Sequence, residues 1–545
     1  MADDSPDDEP DRITIRRKPM SNPSIITITD LGFAYPSSPS AIFEHLSATL
    51  DRGWSALLDD NGCGKTTLAL LLCGRLSPTQ GSISPKPSSL VCEYCPQAIA
   101  EQPRNLDDFA NDWSQRAVAI RRTLGIADDW VYRYPTLSGG EAKRLQVACS
   151  LSREPDLLVL DEPTNHVDAV TRTRIGQAMD SFAGIGLLIS HDRALIDASC
   201  PRSLVFRKRH TQAGNVLTLT QFKGRLTQIE EQEKAEDGYA QEELDSNRRE
   251  LNRLKQFKAA RFQKLQHVDA LRRQGGRIDP HDHDARNTHK LARPGASGTA
   301  AARGYRQADA SIAATSRKNA DLQTAAKRYD GSTSLQAEAS HKRELVRVDG
   351  SDLRDWMERH GVEDFHLYLR GNVATDSGAD SQHGPALETI SIGPKDHIGI
   401  SGPNGRGKST LLELLAARLP TDLPRLILPQ IIGSARIHKA LEDAVALPGT
   451  QKKKLMSAYA QLNADPEDLL AGHELSAGEG RKLLLCLGFL EHPQLLILDE
   501  PTNHLDLRSQ AALAEVLAPY HGALVVVSHD EGLLEALSSI RWEVE

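Results

Sequence analysis

The chain has little cysteine, seven residues in 545. The number is odd and the cysteines are scattered, so no disulfide framework is laid out, and a reducing compartment fits. Cys92 and Cys95 form one C-x-x-C pair. The second pair that a zinc site needs is missing, and this pair sits in an apolar, strand-like stretch. Long apolar runs are absent too. None reaches the ~18 residues that span a bilayer, and the longest, around 483–490, has the length of a buried core segment. The opening MADDSPDDEPDR has no apolar core of a signal peptide. It reads as an acidic, disordered tail over 1–20. The expected location is the cytoplasm, with no membrane insertion, so any membrane-embedded partner is another chain. A strong overall excess of charge is also lacking: Lys+Arg 65 against Asp+Glu 74 leaves −9.

An internal repeat is present instead. Asn61-Gly-Cys-Gly-Lys-Thr66 returns as Asn404-Gly-Arg-Gly-Lys-Ser409, and Leu137-Ser-Gly-Gly-Glu141 as Leu475-Ser-Ala-Gly-Glu479. Leu158-Val-Leu-Asp-Glu-Pro-Thr-Asn-His166 returns as Leu496-Ile-Leu-Asp-Glu-Pro-Thr-Asn-His504, and Ser190-His-Asp192 as Ser528-His-Asp530. The order is the same in both copies, which predicts two domains, at 21–225 and 346–545. Short continuous apolar runs (Leu157–Leu160, Gly186–Ile189, Leu495–Leu498, Leu524–Val527) read as strands buried on both faces. The fold class is therefore α/β, with parallel sheets in two P-loop domains in tandem.

The segment between them, 226–345, differs in character. Leu244, Leu251, Leu254, Leu265, Val268 and Leu271 give an imperfect helical stripe. Breakers follow at Gly275-Gly276, Asp279-Pro280 and Pro294-Gly295, then an Ala-rich helical stretch. The pattern predicts a long, coiled-coil-like helical hairpin with its tip near 273–295. Residues 248–328 hold nineteen Lys/Arg and seven Asp/Glu, a net of +12 that leaves −21 for the rest. A basic arm on an acidic body suggests a polyanionic partner, RNA or DNA; a solvated coiled coil is the bland alternative. The tip histidines His281, His283 and His289 leave metal binding open beside a plain solvated loop.

The second copy carries the complete chemistry. Gly402-Pro403-Asn404-Gly405-Arg406-Gly407-Lys408-Ser409-Thr410 is a phosphate-binding loop between a strand-like Ile398–Ser401 and a helix-like stretch. Lys408 is placed for the β- and γ-phosphates of ATP and the Ser409 hydroxyl for Mg²⁺. Asp499, at the end of a buried strand, is the carboxylate for Mg²⁺. Glu500 beside it is the general base for the attacking water. His529 follows the next strand and faces the γ-phosphate. Gln430, in Pro-Gln, is the loop glutamine reaching Mg²⁺ and water. Ser476, Ala477, Gly478 and Glu479 open a helix whose N-terminus suits an anion, namely the γ-phosphate of a nucleotide held by the other copy. Asp506 completes this nucleotide-facing set. Two copies so arranged imply a head-to-tail pair enclosing two ATP molecules.

The first copy repeats the parts: Asn61, Gly62, Cys63, Gly64, Lys65, Thr66 and Thr67 in the loop; Gln97; Ser138, Gly139, Gly140 and Glu141; Asp161, Glu162, Asp168 and His191. Thr66, Gln97 and Asp161 are its metal candidates, as Ser409, Gln430 and Asp499 are in the second. The first glycine of its loop is replaced by Asp59. A negative charge beside phosphates, and a Cβ in a tight turn, are unfavourable. The site is either weakened or dead. Tyr35 is the aromatic expected to stack on adenine; in the second copy Tyr368 is the candidate.

Together these motifs resemble ATP-binding-cassette proteins. The two Glu-Pro-Thr-Asn-His continuations and the helical linker narrow the resemblance to the ABC-F family: ribosome-associated translation factors, Uup-type proteins and antibiotic-resistance factors that protect ribosomes. The resemblance implies an ATP hydrolase that binds ribosomes near the tRNA exit site. Its linker tip would reach toward peptidyl-tRNA, with ATP closure favouring binding and hydrolysis release. It leaves two alternatives open, a DNA-associated Uup-like ATPase and the energy subunit of a transporter. Three departures stand out: Asp59, a second domain about ten residues shorter between Lys408 and Gln430, and only about forty residues from Gln97 to Ser138, which leaves no room for a large inserted arm.

Overall fold

The computed structural model describes residues 23–36, 41–58, 63–165, 167–211, 214–275, 283–284, 295–321, 324–325, 338–362, 364–370, 387, 389–466, 469 and 475–545. The tail 1–20, Asp59, Asn61, Gly62, His166 and most of the hairpin tip, His281 and His289 included, lie outside the described residues.

The first half contains β1 (Ile25–Phe33), β2 (Phe43–Asp51), β3 (Gly53–Leu58), β4 (Gln80–Ser84), β5 (Cys92–Cys95), β6 (Leu157–Asp161), β7 (Ile185–Ile189), β8 (Arg202–Thr211) and β9 (Gly214–Lys223). Strands β8-β3-β7-β6-β5 pair in parallel, and β9 returns antiparallel on β8. Every residue of β6 and β7 is buried. Their unbroken apolar runs reflect a sheet covered on both faces. One face packs helix Lys65–Leu72 and the antiparallel layer β2-β1-β4. The other packs the helical region 106–152.

The linker helices run over Leu226–Gly275 and Gly295–Asp321. They lie side by side: the Phe262 and Tyr305 rings are 6.1 Å apart, and Lys258 binds Asp309 while sitting 5.0 Å over the Tyr305 ring. The chain then adds β10 (Thr324–Ala325) to the edge of β8.

The second half contains β11 (Val346–Asp349), β12 (Leu367–Leu369), β13 (Thr389–Ile392), β14 (His397–Ser401), β15 (Arg425–Leu428), β16 (Leu495–Asp499), β17 (Ala523–Val527) and β18 (Ile540–Val544). Its sheet, β12-β18-β14-β17-β16-β15, has the same parallel core. The antiparallel layer is reduced to β11-β13, beside helix Gly350–Arg359. Helix Lys408–Arg418 leads to β15 at Arg425 with no strand between. The ten-residue shortening thus removes the counterpart of β4. Among the described residues no helix is long and apolar enough to cross a membrane, and no His/Cys/Asp/Glu cluster is arranged to hold a metal ion.

Candidate functional site

Both phosphate loops end on a left-handed glycine that starts a helix. Gly407 (φ 87°) caps Lys408–Arg418 and Gly64 (φ 90°) caps Lys65–Leu72. A Cβ on Gly64 would meet Ile42 at 2.6 Å, and one on Gly407 would meet Val362 at 3.0 Å. At Gly402 (φ 145°) it would strike the Val544 carbonyl at 2.3 Å. Only glycine fits there. Lys408 is buried and donates Nζ to the Gly402 and Pro403 carbonyls at 2.7 and 2.8 Å. Burial lowers its pKa. Pro403, Asn404, Gly405 and Arg406 stay exposed around it.

The Ser409 hydroxyl donates to Asp499 Oδ2 at 2.8 Å. Thr66 does so to Asp161 Oδ2 at 3.1 Å, and that oxygen also accepts from the Tyr94 phenol at 2.7 Å. Burial raises the pKa of both aspartates. Tyr35 stands with its hydroxyl 3.1 Å from Thr67 Oγ1, at the root of the Lys65 helix.

Glu162 and Glu500 follow β6 and β16 with φ of 47° and 46°, a left-handed turn that non-glycine residues seldom adopt. Their amides are pinned to the adjacent strand, on the Ile189 and Val527 carbonyls at 2.8 and 2.9 Å. His191 Nε2 lies 3.3 Å from Glu162 Oε1, and His529 Nε2 lies 3.5 Å from Glu500 Oε1. Nε2 of His529 also shares a hydrogen bond with Asn404 Oδ1 at 2.9 Å. Burial pushes both carboxyls up to about 8 and holds both imidazoles well below 6.5. Each pair is thus a neutral imidazole beside a carboxyl whose proton affinity has moved toward neutral pH, where a general base works best.

The two halves meet head to tail. A cavity of about 420 Å³ is lined by Gly64, Lys65, Thr66, Thr67, Gln97, Asp161, Glu162 and His191 from the first half and by Ser476, Ala477 and Gly478 from the second. Asp506 and Lys482 of the second half act on the charge of His191. Asp168 acts likewise on Lys408 and His529, and Arg172 on Glu500 and His529. Gly140 of the first signature lies against Thr171, beside Asp168. Between the two sites a second cavity, about 490 Å³, reaches Glu162, His191, Gln430, Glu500 and His529.

Several roles are sharper than the sequence suggests. Glu141 and Glu479 spend a carboxylate oxygen on the backbone N–H of Ser138 and Ser476 at 2.8 Å, completing capping boxes. They shape the helix end that presents Gly139, Gly140, Ala477 and Gly478. Asp168 and Asp506 cap the helices that follow them. Two residues missed in the sequence secure the glutamine loops. Lys143 donates to the Pro96 and Gln97 carbonyls at 2.8 and 2.9 Å, and Arg481 to those of Gln430 and Glu500 at 2.5 and 2.8 Å. Each stands five residues past its signature serine, a spacing that could have disclosed them. At the second site Val362 and Phe365, not Tyr368, pack against Gly407; Tyr368 lies on β12 opposite Glu543.

These residues fit a magnesium–nucleoside triphosphate. Gly64, Gly402 and Gly407 have no room for a Cβ, the paired hydroxyl and carboxylate oxygens suit a hard cation, and Glu500 Oε1 is buried with no hydrogen bond.

A family model described as "ABC transporter" matches residues 43–165 and 389–503, once in each half. The "Ribosome protection protein VmlR" of Bacillus subtilis is 27% identical over 537 residues, covering 94% of this chain and 85% of that protein. The "Tylosin resistance ATP-binding protein TlrC" of Streptomyces fradiae is 26% identical over 569 residues, covering 90% and 92%. Each half thus carries an ATP-binding cassette, and the chain as a whole is similar to ABC-F-type proteins. The chain is an ATP hydrolase built from two cassettes. A solved structure titled "RNase-L Inhibitor" superposes on this chain with a TM-score of 0.52 at 16% identity, covering 94% of it and 90% of that protein. That similarity shows a common tandem-cassette fold.

Proposed function

We propose that this chain is an ABC-F-type ATPase that binds two Mg-ATP between cassettes at 21–225 and 346–545 and uses the cycle to engage and leave a ribosome. The observation that carries the proposal is the composite cavity in which Lys65, Asp161 and Glu162 face Ser476 and Gly478 of the other cassette.

Lys65 and Lys408 hold the β- and γ-phosphates, and each signature helix presents its N-terminal N–H groups to the γ-phosphate from the far side. Thr66, Asp161 and Gln97, with Ser409, Asp499 and Gln430, would hold Mg²⁺, which neutralises phosphate charge when bound. Glu162 and Glu500 orient the attacking water and draw off its proton, while neutral His191 and His529 keep those carboxyls in place. Tyr35 provides an adenine contact. ATP closes the cassettes, and hydrolysis lets them part.

The ribosomal assignment is supported by the +12 of residues 248–328 on a body of −21, which favours a phosphate-rich partner, and by the similarity to VmlR, whose name is that of a ribosome protection protein. The linker, 226–345, is the arm that touches rRNA or tRNA, and the protein works in the cytoplasm. The test is the Glu162→Gln/Glu500→Gln protein, which closes on ATP without hydrolysing it. It should co-sediment with ribosomes in ATP and not in ADP. Failure to do so, or displacement from ribosomes by branched DNA at equal phosphate concentration, turns the assignment to a DNA-associated ATPase.

A further inference from the structure

The first turns of linker helix Leu226–Gly275 are built into the first cassette. Leu226 and Ile229 are buried in its core, and Leu507 of the second cassette enters the same cluster. Beside them Glu230, Glu233 and Glu236 recur every three residues, so they share one side of the helix. Each takes an arginine. Arg193 gives Nη2 and Nη1 to the two oxygens of Glu230 at 2.6 and 3.3 Å. Buried Arg207 gives Nε to Glu233 Oε1 at 2.8 Å and Nη1 to Glu236 Oε2 at 2.7 Å. Arg508, from the second cassette, gives Nη2 to Glu233 Oε2 at 3.2 Å. Glu233 therefore ties linker, first cassette and second cassette in one contact.

The positions of the arginines select a site. Arg193 follows directly on His191 and Asp192, the segment facing Glu162. Arg508 stands two residues past Asp506, whose carboxylate acts on His191. Both thus adjoin, in sequence, residues that face or act on the composite site built on Lys65. The repeat places Glu531 where Arg193 would be at the other site, Val170 where Arg508 would be, and Ala169 in place of Leu507. Glu531 pairs within its own cassette, with Arg370 and Arg541 at 3.2 Å each. Val170 is 59% exposed. Among the described residues these links to the linker have no counterpart at the Lys408 site.

We infer that Glu230 and Glu233 are positioning residues for the ATP site built on Lys65, and that through them the basic linker is wired to that site and not to the one built on Lys408. Parting the cassettes breaks Arg508–Glu233 and withdraws Leu507, while Arg193 and Arg207 stay with the linker. A load on the hairpin is thereby felt at His191. The inference rests on the reading of the linker as the partner-binding arm.

The test isolates each site. With Glu500→Gln only the Lys65 site turns over, and with Glu162→Gln only the Lys408 site does. Adding Glu233→Gln should lower kcat about tenfold in the first background, with KM within about twofold, and leave the second background nearly unchanged. Arg207 keeps Glu236 as a partner, so this variant should fold, as a thermal melt will show. Arg508→Val, which installs the residue type found at 170, should cause the same loss. The two changes together should cost no more than either alone, as expected for one shared contact, and Glu233→Asp should recover part of the rate. Equal losses in both backgrounds, or additive losses, overturn the inference. If the Lys65 site shows no turnover, hydrogen exchange of 226–236 in the Glu162→Gln/Glu500→Gln protein is read instead. ATP should slow it in that parent but not after Glu233→Gln or Arg508→Val, and equal slowing overturns the inference. Wild-type turnover that ribosomes leave unaltered would count against the ribosomal reading and not against this wiring.

Discussion

The two cassettes are nearly identical where they touch the reaction and unlike everywhere around it. The Glu–His pairs have the same turn, the same burial and the same displaced proton affinities. Yet the phosphate loop starts on Asp59 in one and Gly402 in the other. Tyr94 binds Asp161, the aspartate proposed for Mg²⁺, in one, while the strand pairing and loop spacing put Ile427 at that place in the other. The antiparallel layer is full in the first and cut down in the second. The arginine–glutamate cluster on the linker takes Arg193 and Arg207 from the first cassette and only Arg508 from the second among the described residues. The lesson is that the chemistry of a composite site tolerates little change, whereas its connections can differ. Two sites can run one reaction and report to different parts of the molecule.

The sharpest way to break the comparison is to silence each base. Glu500→Gln and Glu162→Gln should each abolish turnover at one site, by about 10²–10⁴-fold for loss of a general base. Unequal residual rates will rank the sites. The Lys408 site should be the faster, so Glu500→Gln should cost more of the total; equal losses dismiss the asymmetry. Next in size is exchange of the loop residues. Gly402→Asp forces a side chain onto the Val544 carbonyl in a backbone region closed to other residues. Strain of this kind costs of order 1–3 kcal/mol. ATP affinity at that site and the melting temperature should both fall. Asp59→Gly should raise turnover at the Lys65 site.

Much of this was legible in the sequence because the repeat fixes the order of the parts. The buried strands β6, β7, β16 and β17 have apolar runs that only a covered sheet allows, and each ends at its acid or histidine. Other features escaped. Val362 and Phe365 reach Gly407 from a stretch with no recognisable pattern, so the aromatic Tyr368 drew attention in their place. Glu141 and Glu479 look like ligands in a motif, although the serine–glutamate spacing also encodes the capping box they form. The Glu230–Glu233–Glu236 stripe reads as one more charged helix face until its three arginines, distant in sequence, are seen together.

A smaller effect is expected from Tyr94→Phe. The phenol adds a second hydrogen bond to the Asp161 oxygen that already accepts from Thr66, whereas Ile427 stands at the corresponding place beside the Ser409–Asp499 pair. Its loss removes one hydrogen bond to a charged group, of a kind whose net worth is about 1.5–3 kcal/mol. The Mg²⁺ concentration needed for half-maximal turnover should shift several-fold in the Glu500→Gln background and not in the Glu162→Gln background. A shift in both would mean that Tyr94 acts through the fold and not through the metal site.

The smallest effect tests the likeness of the sites and not their difference. In the nucleotide-free protein Glu162 and Glu500 hold their protons up to about 8. The unfolded chain releases them near 4.5. A carboxyl whose folded pKa is raised contributes stability that is complete below its unfolded pKa and is lost as pH rises to the folded value. His191 and His529 have the opposite sign, since their depressed pKa values cost stability only as pH falls below 6.5. Between pH 6.5 and 8 the histidines are therefore silent and the glutamates are not. Over that window the wild-type melting temperature should decline more steeply than that of Glu162→Gln/Glu500→Gln. Each single substitution should remove about half of the extra slope, because burial acts alike on both carboxyls. If one of them accounts for nearly all of it, the two catalytic pairs are less alike than their matching turns and distances imply.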